Sequence, residues 1–125
     1  MPVRVLVVDD SRVFRNVLRA LVVATPGFEA VGAAASGREA LELVGLLDPQ
    51  LVLIDVQMPE LDGIETAFLI RRRRPGVVVL LLTTTRRASV GDPSLPVGDK
   101  RDFSPEWLAD FWRRHGRSRA VEPSA

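Results

Sequence analysis

The sequence predicts an α/β fold, a doubly wound parallel sheet of five strands with helices on both faces. Three observations carry that reading. Apolar runs rich in Val, Leu and Ile recur along the chain, at Val3–Val8, Phe28–Ala33, Leu51–Val56 and Val77–Leu82. Amphipathic stretches of helical period lie between them. The first, third and fourth runs are apolar without alternation, as strands covered on both faces must be. Strands alternating with helices in this way build parallel βαβ units.

The elements follow in order. Val3–Val8 is the first strand, and Asp9-Asp10 ends it. Ser11 caps a helix whose apolar positions are Val13, Phe14, Val17, Leu18, Leu21 and Val22. Thr25-Pro26-Gly27 closes that helix, and Phe28–Ala33 is a weaker second strand. Ser36-Gly37-Arg38-Glu39 has the form of a capping box, serine at the cap and glutamate three residues on. It opens a helix carrying Ala40, Leu41, Val44 and Leu47, which Asp48-Pro49 breaks. Leu51–Val56 is the third strand. After Met58-Pro59 a helix runs from Leu61 or Gly63 to Arg74, and Pro75-Gly76 stops it. Val77–Leu82 is the fourth strand.

The last third is less regular. Gly91, Pro93 and Pro96 leave Arg86–Val90 room for no more than a shortened or degenerate fourth helix. Leu95–Gly98 is read as a short fifth strand. Ser104-Pro105-Glu106 starts a helix: a cap serine, proline at the first position, then an acid. Trp107, Leu108 and Phe111 form its buried stripe, joined by Trp112, and Gly116 ends it. The expected organisation is one domain over residues 1–115 and a flexible tail over 116–125.

Composition narrows the function classes. With 125 residues, the chain has length for one domain with a real core. A net charge of +1 gives no global field for nucleic acid or an anionic membrane. No cysteine is present, so disulfides and thiolate metal sites are excluded. No apolar stretch approaches the roughly 18 residues of a bilayer span, and the N-terminal run is too short for a secretory signal. A cytoplasmic location is expected. Every basic residue is arginine except Lys100. A lone lysine in so arginine-biased a chain marks a position where a compact ammonium differs from a planar fork.

The chemistry lies in the acids. Asp9 and Asp10 follow the first strand, and Asp55 ends the third. In a doubly wound sheet of order 2-1-3-4-5 these strands are neighbours. The chain reverses direction between them, and ligands bind beyond their carboxyl ends. Three converging carboxylates repel one another unless their pKa values shift or a cation joins them. Mg²⁺ suits such a set, held by carboxylates, waters and a phosphate.

Asp55-Val56-Gln57-Met58-Pro59-Glu60-Leu61-Asp62-Gly63 resembles the signature around the phosphorylated aspartate of response-regulator receiver domains. Val5-Leu6-Val7-Val8-Asp9-Asp10 resembles that family's first strand and acidic pair. The resemblance extends over roughly residues 3 to 115. It implies the flavodoxin-like version of the fold and a two-component phosphorelay. Asp55 would be the nucleophile that accepts a phosphoryl group from a sensor histidine kinase or phosphotransfer protein. Asp10 would ligate Mg²⁺, with Asp9 helping directly or through water. Asp55 itself and the backbone carbonyl of Gln57 would complete the protein's ligands. The protein would catalyse only its own phosphorylation and slow dephosphorylation, and so is expected not to be a metabolic enzyme.

Thr83 falls where the family carries the hydroxyl that bonds the phosphoryl group, and Lys100 where it carries a cation. Gln57 and Thr85 fall where the family tunes access of the hydrolytic water. Asp99-Lys100-Arg101-Asp102-Phe103-Ser104-Pro105-Glu106 resembles receivers that precede helix-turn-helix output domains, here read as stand-alone. The step from Thr83 to Lys100 is several residues shorter than usual in the family. Val97 replaces the usual aromatic, and no proline follows Lys100. The usual signalling face of the family is therefore expected to be altered. Output is expected through protein contacts, a homodimer among them, without direct nucleic-acid or membrane binding. An alternative is a phosphorylation-independent, receiver-like interaction module. An aspartate-based phosphatase is a second one, but Asp9-Asp10-Ser11 lacks the Asp-x-Asp spacing of such enzymes. Arg71–Arg74 reads as a solvated helix end and His115 as a surface residue.

Overall fold

The computed structural model describes residues 1–59, 61–84 and 95–121, with side chains described as far as Gly116. The elements are β1 (Val3–Val8), α1 (Arg12–Val23), β2 (Phe28–Ala34), α2 (Gly37–Leu47), β3 (Leu51–Asp55), α3 (Gly63–Arg73), β4 (Val78–Thr83), β5 (Val97–Asp99) and α4 (Pro105–Val121). The five strands form one parallel sheet in the order β2-β1-β3-β4-β5. Both the fold class and the strand order match the reading of the sequence. The segment expected to hold a trimmed helix, Arg86–Val90, lies outside the described residues, as does Thr85.

The unbroken apolar runs split their side chains between two cores. Leu6, Val8, Val52, Ile54, Val79 and Leu81 face α2 and α3. Val5, Val7, Leu51, Leu53, Val78, Leu80 and Leu82 face α1 and α4. Both sheet faces are covered, and apart from Arg4 near the start of β1 no residue of β1, β3 or β4 is polar until the strands end. The residues that end them are Asp9, Asp55 and Thr83, all buried.

The helix starts follow the predicted caps. Ser11 Oγ accepts from Phe14 N at 3.3 Å and Ser36 Oγ from Glu39 N at 3.1 Å. Asp62 Oδ1 accepts from Glu65 N at 2.9 Å and Ser104 Oγ from Trp107 N at 3.1 Å. The return bond from Glu39 lands one residue earlier than in a strict capping box, on Ala35 N at 2.9 Å. In β2 the pairing with β1 skips Val31, with Ala30 opposite Val5 and Gly32 opposite Leu6.

Two expectations are corrected. Gly116 does not end the last helix, which continues to Val121. The indole of Trp112 lies over this glycine where a Cβ would collide, so Gly116 makes room for packing and is not a stop. Residues 122–125 lie outside the described residues. The apolar stripe of α1 is also only half used. Leu18 and Val22 are buried, but Val13, Phe14 and Val17 are exposed.

Glycines of α2 and α3 differ sharply in what surrounds them. A Cβ on Gly63 would collide with the backbone carbonyl of Asp55, whereas one on Gly45 meets nothing within 4 Å. Gly63→Ala is therefore expected to destabilise the fold by about 1–3 kcal/mol. Gly45→Ala is expected to stabilise it by about 0.5–1 kcal/mol through helix propensity. Urea unfolding of the two variants measures both, and equal midpoints would contradict the close approach of α3 to Asp55.

Candidate functional site

Three chain segments meet beyond the carboxyl ends of β1, β3 and β4. Hydrophobic strands deliver the first two. Asp9 follows Val8, and Val8 pairs with Ile54 of β3, so Asp9 and Asp55 come side by side. The third segment arrives through backbone pairing. Thr83 sits opposite Asp99, and Lys100 N donates to the Thr83 carbonyl at 2.9 Å. That bond carries the ladder one residue past β5 and turns Lys100 toward the acids.

The Lys100 ammonium lies between two carboxylates. It donates to Asp9 Oδ2 at 2.7 Å and stands 3.4 Å from Asp55 Oδ1. The lysine side chain is only 7% exposed. The ring of Phe14 covers the ammonium, with the centroid 4.1 Å away. Asp9 is fixed from its other side as well, since its Oδ1 accepts from Ser11 N at 2.9 Å. Gln57 N donates to Asp55 Oδ1 at 3.3 Å, which folds the loop after β3 back onto that carboxylate.

Asp55 feels these neighbours as a pKa above the usual carboxylate value of 3.8. Burial is the main cause, and the Asp9 charge adds to it. Lys100 and the Gln57 amide oppose the shift without cancelling it. The charged form of Asp55 is thus held at a cost.

Asp9, Asp10 and Asp55 can each offer one carboxylate oxygen, and these atoms lie within 4.8 Å of one another. Asp10 is exposed while the other two are buried, so the cluster opens to solvent on the Asp10 side. An all-oxygen donor set of this kind fits a hard divalent cation that keeps several waters.

The structure brings Asp9, Asp10, Asp55 and Lys100 together, with Thr83 buried at the end of the adjoining strand. Thr84 is exposed, which favours Thr83 over its neighbour. Phe14 is one of the apolar positions of α1 in the sequence, and nothing in that pattern places it over Lys100. What the pattern does show is a stripe of six apolar residues on α1, wider than one buried face needs. Arg71–Arg73 do end a helix, and Arg74 pairs with Asp48 at 3.2 Å. His115 is exposed and stacks on Phe111 at 4.4 Å, away from the acids.

The chain matches the model of the response regulator receiver domain over residues 5–98. That stretch includes the three acids and Thr83 and stops just short of Lys100. A protein-glutamate methylesterase/protein-glutamine glutaminase of Nocardioides is 52% identical over 69 residues, covering 55% of this chain and 19% of that protein. The chain spans about a fifth of the length of the first such curated relatives. The response regulator domain of Thermotoga maritima CheB superposes with a TM-score of 0.75 at 27% identity, covering 98% of this chain and 100% of that one. The signal receiver domain of an HD domain-containing protein from Pseudomonas fluorescens gives 0.83 at 19% identity, over 98% and 100%.

The acid cluster has a stability signature. A raised acid pKa means that the folded chain holds a proton the unfolded chain has released. The Asp55 contribution is therefore neutral below about pH 3.8 and increasingly unfavourable as pH rises through the raised folded value. Asp55→Asn without divalent cation is expected to melt above the wild type at neutral pH, by about 4 °C for each kcal/mol relieved. The gap should shrink toward pH 3.8. Lys100→Met leaves both buried carboxylates without their cation. It should cost about 2 kcal/mol once the open side of the cluster is allowed for. Thermal melts across that pH range decide it, and a destabilised Asp55→Asn would contradict the assignment.

Proposed function

The chain belongs to the response regulator receiver family, and from that premise we propose that Asp55 is its phosphoacceptor. Receivers take their phosphoryl group from histidine kinases or phosphotransfer proteins. The observation that carries the residue assignment is the buried Asp55 carboxylate, placed between a cluster of acids and the one lysine of the chain.

An Asp55 oxygen attacks the phosphorus of a phosphohistidine or of a small acyl phosphate. An O–P bond forms to Asp55 while the bond from phosphorus to the donor breaks, so charge moves without net oxidation. Asp10 and Asp55 would hold Mg²⁺ with the Gln57 carbonyl, and Asp9 would hold it through water. When bound, this ion supplies positive charge against the phosphoryl oxygens. Lys100 supplies a further positive charge, and its ammonium, 3.4 Å from Asp55 Oδ1, is close enough to shift from that carboxylate to a phosphoryl oxygen of the product. Thr83 offers a hydroxyl to another oxygen of the product, which draws the end of β4 toward the modified aspartate. Gly63, whose Cα lies against the Asp55 backbone, keeps the loop after β3 tight enough for these contacts.

The methylesterase and glutaminase activities are those of relatives in which the matched stretch makes up only 19% of the length. For this chain the proposed role is that of the phosphoacceptor switch, which catalyses its own phosphorylation and dephosphorylation. No described helix is long and apolar enough to cross a membrane, and a cytoplasmic site of action is proposed with the phosphorelay. Output is proposed to pass by protein contacts, a homodimer among them, at the face of β5 and α4. A cleft of about 410 Å³ opens there, lined by Val97, Trp107, Phe111 and Arg114 among others.

Acetyl phosphate with Mg²⁺ is expected to add one phosphoryl group to the protein, read by intact mass. EDTA should abolish the adduct, and so should Asp55→Asn. Lys100→Met should slow its formation roughly a hundredfold. Absence of an adduct under every condition would favour the phosphorylation-independent interaction module instead.

A further inference from the structure

A receiver with these acids and this lysine needs nothing at Phe14, yet an aromatic ring sits there against the ammonium. The ring has no place in either core and is 40% exposed. It is nonetheless fixed in position. Phe14 N bonds the Ser11 cap at 3.3 Å. Ser11 N bonds Asp9 Oδ1 at 2.9 Å. The Arg15 guanidinium donates to the Asp9 carbonyl at 2.9 Å. The first turn of α1 is thus tied to the same aspartate that accepts from Lys100.

We propose that Phe14 is a positioning residue, an aromatic roof that holds the Lys100 ammonium down on Asp9 and Asp55. The inference rests on the role given above to Lys100 in phosphorylation. An ammonium has three N–H groups. Two sides face the carboxylates at 2.7 and 3.4 Å, and the ring face at 4.1 Å closes a third. A cation over an aromatic face is attracted by the ring quadrupole, and more strongly where water is excluded. Here the lysine side chain is 7% exposed, so the ring takes a place that water would otherwise fill. A lysine is long and rotamer-rich, and outside a fold its head prefers bulk water. The roof removes that option and leaves movement only along the line of the carboxylates, which is the movement phosphoryl transfer needs.

Leucine at position 14 would cover similar apolar area without a quadrupole, and tyrosine would keep the ring. Since Lys100 is the only lysine, isotope-labelled lysine reports this side chain as a single set of NMR signals. In the wild type the ring current should shift the Lys100 ε-methylene protons upfield. Phe14→Leu should lose that shift and Phe14→Tyr keep it. The rate of phosphorylation by acetyl phosphate should fall roughly three- to tenfold in Phe14→Leu and recover in Phe14→Tyr. Identical Lys100 shifts in wild type and Phe14→Leu would overturn the roof, and so would equal phosphorylation rates. A wild type that takes no phosphoryl group would overturn the function proposed for the site. The NMR shifts would then still decide the contact on their own.

Discussion

Two carboxylates, Asp9 and Asp55, are held out of water at the ends of neighbouring parallel strands, and one ammonium stands between them. Much else in the molecule serves this arrangement. Unpaired, two buried like charges at such separation would push at least one group to its neutral form. Lys100 offsets that tendency only in part, and Asp55 stays raised. A carboxylate in this condition is stabilised when a cation arrives beside it. The pocket is thus poised by burial first and by the Asp9 charge second, and the fold has to be strong enough elsewhere to tolerate it.

That strength comes from the sheet. β1, β3 and β4 are buried on both faces and contribute alternate side chains to two separate cores. The strands cannot slide by one residue without exchanging the contents of those cores. Asp9, Asp55 and Thr83 therefore sit where the register puts them. The softer parts of the site are attached to this frame by hydrogen bonds, such as Lys100 N to the Thr83 carbonyl and Gln57 N to the Asp55 carboxylate. Rigid strand ends and tethered loops divide the work: the former fix where charge lies, and the latter can answer a change in it.

Much of this was legible in the sequence, for reasons that can be named. Unbroken apolar runs announce strands covered on both faces, and the first polar residue after each run marks its end, so the three acids could be placed from chain order alone. Ser11, Ser36, Asp62 and Ser104 act locally, and local signals are readable. Lys100 was harder. It lies 91 residues from Asp9, behind a segment of irregular length, and only the pairing of β5 with β4 brings it in. The places of Phe14 and Gly116 are hidden in the sequence for a related reason. Helical periodicity shows that α1 has apolar residues on adjoining stripes but not which stripe meets the sheet. A glycine in a helical pattern reads as a stop unless one knows that Trp112 lies over it.

The skipped residue in β2 has a consequence for the chain's behaviour in a crowded solution. A parallel sheet has two outer strands, and each offers unpaired amides and carbonyls to any passing chain. Here β5 is only three residues long, too short to template much. β2 is seven residues long and partly open along its length, which makes it the hazardous edge. The bulge at Val31 breaks its ladder in the middle and adds local twist. An incoming strand would meet two short, misaligned halves in place of one flat rail. Sheet extension from copy to copy is disfavoured on both sides.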